Sequence, residues 1–157
     1  MNGQVFAILG AAISITVAGI GSAKGVNIVG EAGAGVVSED PSRFGQILVL
    51  QALPGTQGIY GLLIGFMVML NLGVLGGQLN PVSVSNGLMI MFGCLPIAIV
   101  GLLSALYQGR TAVAGVGLVA KRPEEAGKAI VFAVMVETYA VLAFLGSFLM
   151  VFFIPYV

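Results

Sequence analysis

The sequence predicts an all-α membrane protein in which four transmembrane helices form two duplicated helical hairpins. Hydrophobic residues make up 59% of the chain, charged residues make up 8%, and the mean hydropathy is +1.11. A soluble domain carries about 25% charged residues. Four apolar runs are each long enough to cross a bilayer, which takes ~20 helical residues. The second half of the chain also repeats the first at a constant offset.

The composition excludes several classes of function. The net charge is zero and no basic patch with interleaved aromatic residues occurs, so a nucleic-acid partner is not expected. The chain has no His and one Cys, Cys94, and therefore cannot form an internal disulfide, a zinc cluster or a His-based triad. Although 24 glycines are present, no GxxxxGK[ST] phosphate loop appears, and no organic cofactor is expected.

The first helix is predicted from the apolar run between about Val5 and Val29. No Lys or Arg precedes this run, whereas a secretory signal peptide needs a positively charged start. Small residues leave little bulk on one side of the helix, which suits contact with identical or similar helices. These residues are Gly19, Gly21, Gly25 and the stretch 32–35.

The second helix is predicted from about Pro41 to Leu79, after a loop at 37–41. Asp40 is the predicted N-cap, and Pro41 suits the first helical position. The helix exceeds the length of one membrane span, so it must tilt or protrude. Pro54 interrupts it, because proline has no backbone N–H to donate.

The third helix is predicted from about Leu88 to Ala120, after a polar but uncharged turn at 78–86. The fourth helix begins at Pro123 and continues to about Pro155. Together the four helices form one transmembrane domain.

This domain covers residues 1–157, with one hairpin at 1–80 and the other at 81–157, and both termini lie on one side. The basic residues gather towards the first and third loops, so these loops are predicted to be cytoplasmic and the termini outside. The basic residues are Lys24, Arg43, Arg110, Lys121, Arg122 and Lys128. Lys24 and Arg110 are expected near the cytoplasmic helix ends, where their side chains snorkel to the interface.

The internal repeat aligns without a gap and includes both turn prolines, each with a glycine four residues later. Chance matching in a Gly- and Ala-rich sequence is the alternative, but the aligned prolines argue against it. The matched pairs are Gly19/Gly101, Ser22/Ser104, Ala23/Ala105, Gly33/Gly115, Gly35/Gly117, Pro41/Pro123, Gly45/Gly127 and Thr56/Thr138. One difference is informative, because Gly55 occupies the position that corresponds to Glu137.

Glu137 is the one charged residue deep inside an apolar run. It lies ~21 Å along the fourth helix, counted from Pro123. A charge at that depth costs several kcal/mol, so an ionisable residue there indicates a functional site. The alternative is a protonated carboxyl that only packs against a neighbouring helix.

Two glutamines fall at about the same depth. Gln57 lies ~24 Å along the second helix, and Gln108 lies ~20 Å from the same side along the third. Leu53, Gln57 and Tyr60 share a helix face, with Thr56 beside them. Three helices therefore bring polar side chains to one level inside the bilayer. The alternative is that the glutamines only hydrogen-bond the helices to each other, and that Thr56 bonds to its own helix.

The oxygen-rich set favours a hard cation, because carboxylate, amide, hydroxyl and carbonyl oxygens are its preferred ligands. No nitrogen or sulfur ligand indicates a transition metal. One carboxylate balances one positive charge, which favours a monovalent ion over Ca²⁺ or Mg²⁺. A proton would need fewer oxygens, so Na⁺ is the predicted ion, with H⁺ as the alternative.

Three segments carry a family resemblance: LPGTQGIYG (53–61), YQGRTAVAG (107–115) and MVETYA (135–140). They resemble the membrane rotor-ring proteolipid of V-type ATPases, in particular the sodium-pumping bacterial version, called the c or K subunit. The resemblance extends over the whole chain. It implies a non-catalytic subunit in a homo-oligomeric ring, multi-pass in a bacterial cell membrane, with helices 1 and 3 inside the ring and helices 2 and 4 outside.

The resemblance also implies the ion ligands and partners. The ligands would be the Leu53 carbonyl, Thr56, Gln57, Gln108 and Glu137, with Tyr60 hydrogen-bonded to the carboxylate. The Leu53 assignment depends on the resemblance alone. The partners would be further copies of this chain, membrane lipid, a stator subunit that supplies an arginine and a central-stalk connector, with ATP hydrolysis on other subunits. A structural or pore-forming proteolipid and a small secondary transporter are the alternatives, although the parallel repeats disfavour the transporter.

Overall fold

The computed structural model describes residues 2–156, and regular secondary structure in this range is helical throughout. Helix α1 is Gly3–Glu39, α2 is Phe44–Ala52, α3 is Thr56–Asn71, α4 is Val84–Lys121 and α5 is Ala126–Phe153. Short 3-10 segments lie at Pro41–Arg43, Leu53–Gly55, Val74–Gly76 and Pro123–Glu125. Four continuous spans, with α2 and α3 together forming the second, are long and apolar enough to cross a membrane. The predicted four-span fold is confirmed.

The helix boundaries differ from the sequence prediction in three places. Helix α1 is longer at both ends, so the expected loop at 37–41 shrinks to Asp40 between α1 and the next 3-10 segment. Helix α4 begins at Val84 instead of Leu88, because the Ser83 hydroxyl caps it by accepting from the Asn86 N–H at 3.1 Å.

The predicted extension of the second helix to Leu79 is wrong, because α3 ends at Asn71. Gly73 follows in the left-handed region with φ of 77°, and its N–H donates to the Leu70 carbonyl at 3.0 Å. Glycine adopts this conformation without steric cost, so it ends the helix even though apolar residues continue beyond it.

The predicted cap at Asp40 is confirmed. Its carboxylate accepts from the backbone N–H of Ser42 at 3.0 Å and from the Ser42 hydroxyl at 2.6 Å, and Arg43 pairs with it at 2.8 Å. The hydrogen bond from the Ser42 hydroxyl, followed by the backbone bond and the Arg43 charge, lowers the pKa of Asp40 below its ordinary 3.8. This small network stabilises the turn between α1 and α2.

Helices α1 and α4 run parallel and in close contact, as a parallel duplication requires. A Cβ added at Gly21 would lie 2.5 Å from the Leu102 Cα, and one added at Gly109 would lie 2.9 Å from the Gly25 Cα. Side chains at these positions would prevent this approach. Helix α3 packs on α1, and α5 packs on α4. The small-residue face predicted for the first helix is therefore used mainly within the chain.

The core consists of two apolar clusters along the bundle. One contains Ile64, Val68, Ile90, Ile97 and Val151, and the other contains Val29, Leu50, Val116, Val119 and Ala133. The fully buried Gln57 and Gln108 lie between them along their helices. The fourth span is the least buried of the four: 17% of the residues in its most apolar stretch are buried, against 44% in the third span. Helix α5 therefore leaves the largest share of its residues uncovered by the rest of the chain.

Candidate ion-binding site

Glu137 is half-buried on α5 and accepts one hydrogen bond at each carboxylate oxygen. The Tyr60 hydroxyl donates to Oε1 at 2.7 Å, and the Gln108 Nε2 donates to Oε2 at 3.2 Å. Tyr60 lies on α3 and Gln108 on α4, so three helices meet at this carboxylate. Helical rise predicted that Gln108 and Glu137 lie at one depth, and in the structure their side chains are hydrogen-bonded.

The two glutamines form a directional chain that starts at the carboxylate. An ionised carboxylate only accepts hydrogen bonds, so Gln108 must turn its Nε2 towards Glu137 and its Oε1 away. The Gln108 Oε1 then accepts from the Gln57 Nε2 at 2.6 Å. Both glutamines are completely buried, so each amide depends on these partners in place of water.

The break at Pro54 places further oxygens beside Gln57. The chain tightens into a 3-10 turn at Leu53–Gly55, and the Leu53 carbonyl accepts from the Thr56 N–H and from the Thr56 hydroxyl at 3.0 Å. The Thr56 Oγ1 lies 3.4 Å from the Gln57 Oε1. The Leu53 carbonyl, the Thr56 hydroxyl and the Gln57 amide oxygen are therefore grouped together on the second span. The Thr56 hydroxyl bonds to its own helix, which is the alternative given for this residue.

Two buried serines near this level were missed as site residues, although the repeat had paired them. The Ser22 hydroxyl accepts from the Gly58 N–H at 2.7 Å and donates to the Gly55 carbonyl at 3.3 Å. The Ser104 hydroxyl donates to the Val136 carbonyl at 3.1 Å. Each serine thus connects its own helix, α1 or α4, to the backbone of the span that follows it in the chain. Their equivalent positions in the two halves of the repeat were the signal in the sequence.

The first hairpin keeps the framework of the site but lacks its carboxylate. Gly55 corresponds to Glu137, and Val26 corresponds to Gln108. A Cβ added at Gly55 would meet only the Val26 Cγ2, at 3.7 Å, which is ordinary van der Waals contact. Packing therefore does not require glycine at position 55. The two hairpins together contain one carboxylate at this level, Glu137.

Within residues 2–156, no Lys or Arg forms an ion pair with Glu137. This range also contains no group of three or more His, Cys, Asp or Glu side chains that could hold a metal ion together. Hydrogen bonds alone therefore support the carboxylate, and a bound cation would carry the opposite charge. A single positive charge matches this environment better than a divalent ion.

The expected position of Lys24 and Arg110 near the helix ends is wrong. Helix α1 continues several turns past Lys24 to Glu39, and α4 continues several turns past Arg110 to Lys121. The two cations line a cavity of about 500 Å³ between α1 and α4, together with Asn27. The Arg110 guanidinium lies 5.8 Å from the centroid of the Tyr107 ring. At 37 and 38 residues, α1 and α4 are longer than the ~20 residues that cross a bilayer, so these two residues lie well before the helix ends.

Comparison with known proteins gives consistent matches. The chain is 50% identical over 150 residues to the V-type sodium ATPase subunit K of Enterococcus hirae, covering 96% of this chain and 92% of that protein. It is 40% identical over 146 residues to the A-type ATP synthase subunit K of Methanocaldococcus jannaschii, covering 93% of this chain and 61% of that protein.

The family of the ATP synthase C subunit matches twice, at residues 9–68 and 91–150. The bounds of the second match are the repeat equivalents of the first, because the offset that relates Gly19 to Gly101 also relates 9 to 91 and 68 to 150. Each match covers one hairpin, and together they span most of the chain. This protein is therefore a member of the ATP synthase C subunit family, with the family unit present twice in one chain.

Proposed function

We propose that this chain is a rotor-ring subunit of a V-type ATPase and carries Na⁺ across the membrane at Glu137. One observation carries the proposal: three helices join Glu137, Gln57 and Gln108 in one hydrogen-bonded group between two apolar clusters. The 50% identity to a sodium ATPase subunit supports Na⁺ as the ion. The chain itself is not catalytic, and other subunits hydrolyse ATP.

The proposed ligands are the Leu53 carbonyl, the Thr56 hydroxyl, the two glutamine amide oxygens and the Glu137 carboxylate. An amide oxygen has two lone pairs, so the Gln108 Oε1 can accept from Gln57 and still coordinate a cation. Five oxygens at one site are a suitable set for a hard monovalent ion. Tyr60 holds the carboxylate in place and does not contact the ion.

The carboxylate and its ion form a neutral pair that can pass the lipid-facing arc of a rotating ring. An unpaired carboxylate would meet a desolvation cost of several kcal/mol there. Moving one elementary charge against 100 mV costs about 2.3 kcal/mol, which ATP hydrolysis in the soluble part of the complex supplies. Release takes place opposite an arginine on the stator subunit, which replaces the ion as partner of Glu137.

The proposed surroundings follow from this role. Copies of the chain form the ring, with α1 and α4 lining its interior, α2, α3 and α5 facing outwards, and lipid around it. The turns next to Pro41 and Pro123 face the cytoplasm of a bacterial cell, where they dock on the central-stalk connector. Both termini lie on the outer side.

The decisive experiment is equilibrium binding of radioactive Na⁺ to the detergent-solubilised ring, with Glu137→Gln as the matched variant. The wild type is expected to bind one Na⁺ per chain, and the variant none. A wild type that drives H⁺ transport but binds no Na⁺ would identify the same rotor as a proton carrier. A Glu137→Gln variant that still transports ions in the assembled enzyme would make the carboxyl a packing group and overturn the proposal.

A further inference from the structure

The Ser104 hydroxyl is in contact with the glutamine chain but lies outside the set of proposed ligands. The side chain is buried, with 5% of its surface exposed. Besides its bond to the Val136 carbonyl, the hydroxyl oxygen lies 3.3 Å from the Gln57 Nε2. Ser104 therefore connects the backbone of α5, next to Glu137, with the amide of α3.

The single hydroxyl proton of Ser104 determines the direction of both bonds. The Val136 carbonyl can only accept, so the proton points towards it at an oxygen-to-oxygen distance of 3.1 Å. The hydroxyl then faces Gln57 with lone pairs only. It accepts from an amide N–H and would repel an amide oxygen in the same place.

Both N–H groups of the Gln57 amide are consequently occupied. One donates to the Gln108 Oε1 at 2.6 Å, and the other donates to the Ser104 Oγ at 3.3 Å. The amide oxygen is left on the opposite side, 3.4 Å from the Thr56 hydroxyl. That side holds the Leu53 carbonyl and the other oxygens of the second span.

We infer that Ser104 is a positioning residue for ion affinity: it keeps the Gln57 amide oxygen on the side of the Thr56 hydroxyl and the Leu53 carbonyl, where the ion is proposed to bind. The inference rests on the proposed Na⁺ function. Its consequence is that Ser104 raises the affinity for Na⁺ without changing the affinity of Glu137 for a proton, because Glu137 has its own partners, Tyr60 and Gln108.

The repeat-related serine separates the two roles of this hydroxyl. Ser22 also holds an outer helix, but its hydroxyl bonds to the backbone of Gly55 and Gly58 and not to an amide side chain. Fastening the outer helix is common to both hairpins. Contact with an amide that faces the ion is specific to Ser104.

The test compares four variants of the full chain in the purified ring. Ser104→Ala removes the hydroxyl, and Ser104→Thr keeps it. Ser104 borders a pocket of about 170 Å³, so there is open space beside its side chain. Ser104→Val has the shape of threonine without the hydroxyl. Ser14→Ala is the control, because this buried serine bonds to the Ala11 carbonyl of its own helix.

Two quantities are measured by labelling Glu137 with a hydrophobic carbodiimide. Labelling without Na⁺ as a function of pH reports proton affinity, and the Na⁺ concentration that halves labelling reports ion affinity. In Ser104→Ala and Ser104→Val the half-protecting concentration should rise about 5- to 30-fold, equivalent to about 1–2 kcal/mol. The pH profile without Na⁺ should be unchanged. Ser104→Thr and Ser14→Ala should match the wild type in both measurements.

Equal half-protecting concentrations in Ser104→Thr and Ser104→Val would overturn the inference, even if Ser104→Ala failed to assemble. A pH profile that shifts together with Na⁺ affinity would also overturn it, because the effect would then pass through Glu137 itself. Absence of Na⁺ protection in the wild type would instead overturn the proposed Na⁺ function, and the inference with it.

Discussion

Hydrogen bonds hold the Glu137 carboxylate in position, since among residues 2–156 no Lys or Arg forms an ion pair with it. Its two donors, Tyr60 and Gln108, each occupy one carboxylate oxygen. Removing either leaves an oxygen of a partly buried carboxylate without a partner, which costs more than the bond itself contributes. At the residue scale, loss of either hydrogen-bond donor is therefore expected to impair the site, as loss of the carboxylate is.

Replacing Gln57 or Gln108 with alanine should lower Na⁺ affinity about 10- to 150-fold. Loss of one hydrogen-bond-strength contact to a charged group costs roughly 1.5–3 kcal/mol, and about 1.4 kcal/mol is a factor of ten. Sodium titration of ATP-driven activity in the assembled enzyme measures the change. Gln51→Ala is the matched control, because this glutamine lies on α2 beside Gly30, away from the carboxylate. If half-saturation stayed constant while the ring dissociated more easily, the glutamines would only connect helices.

Carbodiimide labelling should modify Glu137 and spare the other carboxylates. Reaction needs a protonated acid in an apolar setting. Glu31 and Glu124 are exposed, and Asn27 bonds to Glu31 and Lys128 to Glu125. Na⁺ should protect Glu137 better at high pH, since ion and proton compete for one group. Peptide mapping by mass spectrometry locates the label. Modification of Glu31 or Glu124 instead would contradict the topology.

The depth of the polar residues could be predicted from the sequence, whereas the pattern of their bonds could not. Helical rise depends on residue number alone, so Gln57, Gln108 and Glu137 were expected at one level. Which end of each amide faces its neighbour depends on the partners in three dimensions. The Ser104 hydroxyl was missed for the same reason, because a serine in an apolar helix gives no sign of its partner.

At the scale of elements, the contact between α1 and α4 is set by glycines whose missing side chains leave room for a backbone. Gly21→Ala would place a Cβ 2.5 Å from the Leu102 Cα, so the helices must move apart. Overpacking of this kind costs about 1–3 kcal/mol. We expect a lower apparent melting temperature in detergent, measured by differential scanning fluorimetry.

Gly55→Ala provides the control for this prediction, because its added Cβ meets only the Val26 Cγ2 at 3.7 Å. Its melting temperature should equal or exceed that of the wild type, since alanine favours helix more than glycine does. Equal destabilisation by both substitutions would mean that close approach of α1 and α4 is not the reason for glycine at position 21.

The turn at Asp40 should lose stability in acid. Its pKa is lowered in the folded chain by the Ser42 hydroxyl first, and then by the Ser42 N–H and Arg43. Stabilisation from a lowered pKa is present above the ordinary value of 3.8 and disappears as pH falls through the lower folded value. Asp40→Ala should remove it at every pH. Hydrogen exchange of the 40–43 backbone at pH 3–7 would measure this, and a pH-independent difference between the two proteins over the whole range would contradict it.

A helix start could be predicted at Asp40, where a polar cap precedes a proline, but not at Ser83, where the polar cap stands without one. Asp40 and Pro41 marked the start of the second span correctly. Its end at Asn71 was missed, because Leu72, Val74 and Leu75 continue the apolar pattern past Gly73. Only the left-handed conformation of Gly73, which the sequence permits but does not require, ends the helix there.

At the scale of the whole molecule, the duplication produces two parallel hairpins with one carboxylate between them. The N- and C-terminal ends and the central turn meet at one end of the bundle, where Gly3 bonds to Val82 and the Asn86 side chain to Pro155. This arrangement could be predicted, since an even number of spans per repeat keeps both repeats in the same orientation. Which glycines serve contacts within the chain could not be predicted.

Among the glycines of α1 and α4, two groups differ in their contacts within the chain. Gly21, Gly25 and Gly109 are in close contact within the chain, whereas a Cβ at Gly35 or at its repeat partner Gly117 would meet nothing within 4 Å. Both of these are exposed, at equivalent positions of α1 and α4. In the proposed ring they are therefore available for contact with neighbouring copies.

We expect the wild type to remain a closed homo-oligomer in mild detergent, because α5 and the open glycine positions leave much apolar surface uncovered in one chain. Gly35→Leu and Gly117→Leu should destabilise this assembly without disturbing the chain's own packing. Gly76→Leu, at an equally open position outside the membrane spans, is the control and should assemble normally. Native mass spectrometry measures the stoichiometry. Monomers or dimers in the wild type would contradict the ring, whereas intact rings from both leucine variants would show that these two glycines do not lie between copies.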